Sequence, residues 1–219
     1  MKLGIPLYDR VNLLDVAGPL EMFFWAGVET GKLESVLVAP DKNTPVTSVE
    51  GVKFFANESF AEAAALDILW VPGGDPETVA GMMRDPDHPY FQYLRQIAAK
   101  ATWVCSVCEG ALLLARAGLL DGHKATTHWH EINCLRRFKG ITDVEIKRYV
   151  VSENASGKRL TGGGVSSGLD EALKLVVLLF GEDVAKEVQK TTQYFPEPPV
   201  MGKFPDIPDC GLDWERKTP

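Results

Sequence analysis

The sequence predicts an α/β protein with a doubly wound, mostly parallel sheet covered by helices on both faces. Two observations carry that prediction. Short apolar runs rich in Val, Leu and Ile recur along the chain, and helical spacing appears between them. A third observation is that no internal repeat and no linker divides the 219 residues. One domain is therefore expected over residues 1–195, followed by a proline-rich tail over 196–219.

The strands follow in order. Leu3–Leu7 is the first and Ser35–Ala39 (SVLVA) the second. Asp67–Val71 (DILWV) runs straight into Pro72-Gly73-Gly74, and Thr102–Val107 (TWVCSV) straight into Cys108. Between them Pro19–Val28, Glu77–Met83 and Pro89–Lys100 have helical spacing; the last sets Tyr90, Tyr93, Leu94 and Ile97 on one face. Val46–Phe55 (VTSVEGVKFF) holds a Glu-Gly turn between β-rich runs and predicts a small appended hairpin. Val144–Val151 and Arg159–Thr161 predict another strand pair around the turn-forming Glu153–Gly157. Ser166 and Ser167 are candidate caps for a long apolar helix ending at Gly181, and Glu182–Tyr194 continues helically. Six prolines in the last 24 residues predict an extended tail lying on the surface or on a partner subunit.

Composition narrows the function classes. With 23 basic and 30 acidic residues the formal charge is −7, which argues against nucleic acid or an anionic membrane as partner. The longest apolar run, Leu175 to Phe180, is too short to span a bilayer, and MKLGIPLYDR reads as a strand, not a signal peptide. Four cysteines are too few for a disulfide scaffold, so free thiols in a reducing cytoplasm are expected.

The stretch WVCSVCEGALLLA places Cys105 and Cys108 in a C-x-x-C. A redox pair requires the first cysteine at a helix start, yet Cys105 lies mid-strand as a small buried hydrophobe. Side chains three apart on a strand face opposite ways, so the two thiols diverge. A zinc clip, with His128 and His130 completing it, conflicts with the apolar run around Cys105. The third reading fits best: Cys108 ends a strand just before a helix over Glu109–Ala117 capped by Gly118, where the helix dipole favours a thiolate. Such a sharp turn presents one side chain over the sheet's carboxyl edge, where open α/β sheets bind ligands. Pro72-Gly73-Gly74 is either a plain turn or a loop whose amides approach an anionic intermediate. Asp15, in the apolar loop LLDVAGP, is either a helix cap or a buried acid pushed toward protonation.

Together LLDVAGPLEMF, DILWVPGG, SVCEGALLLARAGLLDG, KATTHWH and LTGGGVSSGLDEAL resemble the ThiJ/PfpI superfamily of cysteine α/β proteins, in the right order from the N-terminus to about Gly181. The likeness is nearest to the isocyanide hydratase branch, whose L-D-x-x-G-P, S-V-C and T-T-H-W segments are matched. The tail's Tyr194-Phe195-Pro196-Glu197-Pro198-Pro199 approximates that branch's Y-x-P-x-P-P. The resemblance implies a flavodoxin-like fold, a homodimer, no metal and no organic cofactor. It implies Cys108 as nucleophile, Asp15 as acid/base, and the Gly73, Gly74 and Glu109 backbone amides as anion donors. The activity implied is hydration of isocyanides to N-substituted formamides through a covalent thioimidate. Thr126, Thr127, His128 and Trp129 are pocket candidates, with His128 ranked below Asp15 as a base.

Glu109 departs from that pattern, which carries a threonine after the nucleophile, whereas protease-like members carry histidine. Its charge would oppose a thiolate at Cys108, so an exposed side chain turned away is the expected arrangement. Two other functions compete. A glyoxalase- or deglycase-like activity is disfavoured because that branch uses a glutamate where Asp15 stands. A ligand-sensing domain related to transcription regulators would normally be followed by a basic helix-turn-helix region, and here a proline-rich tail follows instead. Cys134 and Cys210 have no motif around them and receive no role.

Overall fold

In the computed structural model, which describes residues 1–215, seven strands form one sheet. They are β1 (Lys2–Pro6), β2 (Glu34–Ala39), β3 (Glu58–Ser59), β4 (Ile68–Val71), β5 (Trp103–Ser106), β6 (Tyr149–Asn154) and β7 (Gly157–Gly162). Their order is β6-β7-β5-β4-β1-β2-β3, all parallel except the antiparallel β6–β7 pair. Burial on both faces explains the near-continuous apolar sequences: every residue of β4 and β5 is buried. Seven α-helices accompany the sheet: α1 (Leu13–Thr30), α2 (Pro76–Arg84), α3 (Pro89–Ala98), α4 (Gly110–Arg116), α5 (Ile132–Leu135), α6 (Ser167–Phe180) and α7 (Glu182–Thr191). This is the flavodoxin-like α/β architecture. The strand order reverses between β1 and β4, and a crevice at such a switch point is where this architecture binds ligands.

The four main predicted strands lie within one residue of the observed ones, and the hairpin forms as Val46–Thr47 against Lys53–Phe54. Three expectations are corrected. The first helix begins six residues earlier than Pro19, because Asn12 caps it: the Asn12 side chain accepts from the Leu14 and Asp15 amides at 3.1 and 3.3 Å. The predicted Val144–Val151 strand is divided: Asp143–Val144 pairs with Lys124–Ala125, while Tyr149–Asn154 pairs with β7. Neither Ser166 nor Ser167 caps α6 through its side chain. The glycine-rich turn supplies backbone carbonyls instead, Gly164 accepting from Ser167 and Val165 from Gly168 at 3.0 and 3.3 Å.

The tail has no helix or strand among its described residues, but it is tied down. Asn133 Nδ2 donates to the Pro208 carbonyl at 2.8 Å, and Trp214 stacks on Phe138 with the Arg137 guanidinium 4.4 Å from its ring. Cys134 and Cys210, expected as free thiols, form a disulfide across 76 residues. Their sequence separation hid the pairing. Cys210→Ser is expected to lower stability by about 2–4 kcal/mol and to speed tryptic cleavage after Lys203. Denaturant melts and a digestion time course check both, and an unchanged cleavage rate would show that the other tail contacts suffice.

Candidate active site

Loops following β1, β4 and β5 meet at the switch point and bring three side chains together. Cys108 stands between β5 and α4 with φ +57°, a left-handed conformation that costs a non-glycine residue about 1–2 kcal/mol. Its surroundings impose that conformation. The Cys108 amide donates to the Gly162 and Gly163 carbonyls at 3.2 and 2.8 Å, and its carbonyl accepts from Thr127 Oγ1 at 2.7 Å. The next turn is equally constrained, since a Cβ on Gly110 would lie 2.1 Å from the Val71 carbonyl oxygen. Gly110→Ala is therefore expected to cost about 1–3 kcal/mol and to displace Cys108. Thermal unfolding measures the first effect and the rate of Cys108 alkylation the second; wild-type values in both would mean that α4 shifts freely.

Asp15 is the third residue of α1, fully buried, and not its cap. Its Oδ2 accepts from the Gly73 amide at 2.9 Å, tying the end of β4 to the start of α1. Pro19, inside the helix, has no N–H to give to the Asp15 carbonyl four residues back. The Trp70 indole Nε1 donates to that carbonyl instead, at 3.3 Å.

Glu109 is the largest correction. Its side chain does not turn away: the residue is 6% exposed, and a Cβ on Gly73 would meet its Oε2 at 2.6 Å. The Cys108 sulfur and one carboxylate oxygen each of Asp15 and Glu109 lie within 4.8 Å of one another. The Gly74 amide and the Glu109 amide both face the Glu109 carboxylate. Of the backbone donors predicted for an anionic intermediate, the Gly73 amide is bonded to Asp15, while the Gly74 and Glu109 amides lie near the Glu109 carboxyl and favour its ionised form.

The electrostatics also run against the predicted thiolate. Burial first, then the Asp15 and Glu109 charges, push the Cys108 thiol well above its ordinary value, while the Val165 amide pulls it down. The residue is only 3% exposed, and α4 is too short, at seven residues, for its dipole to prevail. Asp15 is raised well above the usual carboxylate range by burial and by Glu109. Glu109 is raised by burial but pulled back by its bond to Cys108 and by the backbone amides. This trio is the one cluster among the described residues with the donor types of a metal centre. Metal ligation needs deprotonated donors, and burial here favours the protonated forms of Cys108 and Asp15.

Cys105 is a fully buried free thiol within β5, as its place in the strand predicted. Thr126, Thr127, His128 and Trp129 line a cavity of about 690 Å³ beside Cys108. Burial and neighbouring His130 lower the His128 pKa, which keeps the ring neutral. Thr127, Gly163 and Val165 both line this cavity and contact Cys108. Sequence reasoning missed three neighbours. Tyr8 donates its hydroxyl to the Pro72 carbonyl at 3.3 Å, buried Glu131 adds negative charge near Glu109, and Phe204 brings the tail to the cavity.

Known proteins resemble this chain in sequence and in fold. The chain is 35% identical over 99% of its length, and 89% of the other's, to the isonitrile hydratase of Pseudomonas putida. A solved ThiJ/PfpI family protein from Pseudomonas syringae superposes with a TM-score of 0.79 at 30% identity, covering 91% of this chain and 77% of that one. The HTH-type transcriptional regulator GbdR of Pseudomonas aeruginosa is 23% identical over 88% of this chain, which spans only 50% of that regulator. A profile of the DJ-1/PfpI family matches residues 1–176, and the chain belongs to the DJ-1/PfpI family.

Proposed function

We propose that the protein is a cysteine-dependent isocyanide hydratase, converting R–N≡C and water into an N-substituted formamide. The observation that carries the reading is the contact of the Cys108 sulfur with a buried acid from the first helix, Asp15, in a chain 35% identical to an isonitrile hydratase. The sulfur adds to the terminal carbon, which is protonated to give a thioimidate; water then adds and the thiol leaves. Asp15, held protonated by burial, supplies and recovers protons at that carbon. The substituent R fits the neighbouring cavity, where Leu14, Trp129, Ile132, Ile146 and Phe204 provide an apolar lining. The Gly73 and Gly74 amides act by orienting the two carboxyl groups.

The reading includes a homodimer acting on a small molecule in the cytoplasm, without metal or organic cofactor. Exposed Phe24 and Val28 on α1 support self-association. Among the described residues no helix is long and apolar enough to cross a membrane. In a reducing cytoplasm Cys134 and Cys210 would stand as a thiol pair.

Incubation with an aryl isocyanide, followed by NMR, tests the activity: the formyl proton of the formamide is expected to appear. Consumption of methylglyoxal without formamide would shift the assignment to the glyoxalase type. One observation favours ligand sensing as a second reading, namely a thiol only 3% exposed in a chain that also resembles part of a transcription regulator. Ligand binding with no turnover would select it.

A further inference from the structure

We infer that Glu109 is a second catalytic carboxyl beside Asp15, the base that takes the Cys108 thiol proton and later returns it to the nitrogen of the intermediate. The inference rests on the hydratase reading and assigns this side chain a role that its position before a helix did not foretell.

The geometry supplies three supports. A Glu109 carboxyl oxygen lies within 4.8 Å of the Cys108 sulfur, the atom that must lose a proton before it can attack, and both side chains crowd the same point beside Gly73. Two amides, from Gly74 and from Glu109 itself, hold that carboxyl where an oxyanion hole would otherwise be. Asp15 shares the same thiol, but it is fully buried and receives a single amide, from Gly73. More amide donors favour the ionised form, so the two environments separate the carboxyls into a base, Glu109, and an acid, Asp15.

An anion pocket filled by a carboxylate also fits the electron flow. In acyl transfer the negative charge develops on oxygen, and free amide donors are what the site needs. When a thiol adds to an isocyanide, the electron pair collects on the attacked carbon, which needs a proton donor instead. The site offers that donor in Asp15, and the Gly73 amide expected at an oxyanion is bonded to this same carboxyl.

The protons balance over one cycle. Glu109 carboxylate takes the thiol proton, the sulfur–carbon bond forms, and Asp15 gives its proton to the same carbon, leaving S–CH=N–R. Glu109 then protonates the nitrogen while Asp15 takes a proton from water, whose oxygen bonds to the carbon. The carbon–sulfur bond breaks, and the hydroxyl proton passes through Glu109 to sulfur. Formamide leaves, and all three groups regain their starting protonation.

The test compares wild type with Glu109→Gln and Glu109→Asp. Glu109→Gln is expected to lose about 10²–10⁴-fold in kcat/KM, and its activity should climb with hydroxide because the thiol must then ionise unaided. Iodoacetamide should meanwhile alkylate Cys108 faster in Glu109→Gln than in wild type at pH 8, since a charge opposing the thiolate is gone. A merely structural glutamate would lower turnover without the climb with hydroxide, and its loss would speed alkylation only by loosening the fold, which an unchanged melting temperature excludes. Glu109→Asp, which keeps a carboxyl, should recover part of the turnover even if the glutamine variant folds poorly. A Glu109→Gln enzyme with wild-type kcat/KM and pH profile would overturn the inference and leave the hydratase intact. Wild-type protein inert toward isocyanides would remove the hydratase reading and this role with it.

Discussion

Cys108→Ala is expected to abolish formamide production, a loss on the order of 10⁶-fold of the kind seen when a covalent nucleophile is removed. In the proposed reaction the sulfur is the atom that bonds to substrate, and the carboxyls beside it, Asp15 and Glu109, serve only to move protons. The substitution removes a nearly buried thiol without adding volume, so the fold should persist. Product quantification by NMR, alongside a circular dichroism spectrum, checks the two halves. Mass spectrometry of wild type trapped during turnover should show the isocyanide mass on the peptide containing Cys108. Formamide at the wild-type rate from the alanine variant would end the covalent mechanism.

Asp15→Asn is expected to lower kcat by about 10²–10⁴-fold, because the amide keeps the shape and an acceptor for the Gly73 N–H but carries no transferable proton. The same change should stabilise the protein, and the sign follows from burial. An acid whose folded pKa stands above its unfolded one holds more protons folded than unfolded, so ionising it works against folding. That cost is absent below the ordinary value of 3.8, grows as pH rises past it, and is complete only above the raised folded value. The asparagine variant should therefore match wild type in acid and melt at a higher temperature at neutral and alkaline pH. Melting curves across that range test the sign. Equal melting temperatures at every pH would mean that Asp15 carries no burial penalty.

The strands at the centre of the sheet were legible because both their faces are buried, and sequences such as DILWV and TWVCSV record that directly. The place of Cys108 between a strand and a helix was legible from the break between such a run and a helical pattern. The start of α1 was misread because Pro19 looks like a first-turn residue, whereas here a distant Trp70 takes the carbonyl that the proline leaves free. Glu109 was misread for a similar reason. A glutamate before a helix is ordinarily solvated, and only the approach of Gly73, Gly74 and Glu131 encloses it. Tyr8 sits at the end of the first strand without a motif, and Cys134 finds Cys210 across 76 residues with none either. What sequence periodicity records is each residue's own burial. Which remote groups share that burial depends on strand order and loop closure.

The left-handed backbone at Cys108 has a corollary for exchanges at that position. Glycine occupies that conformation without steric penalty, yet glycine has no sulfur, so the proposed chemistry requires the strain. Exchanging the cysteine for glycine would relieve the backbone but empty a packed site, so strain and packing pull in opposite directions at this one position.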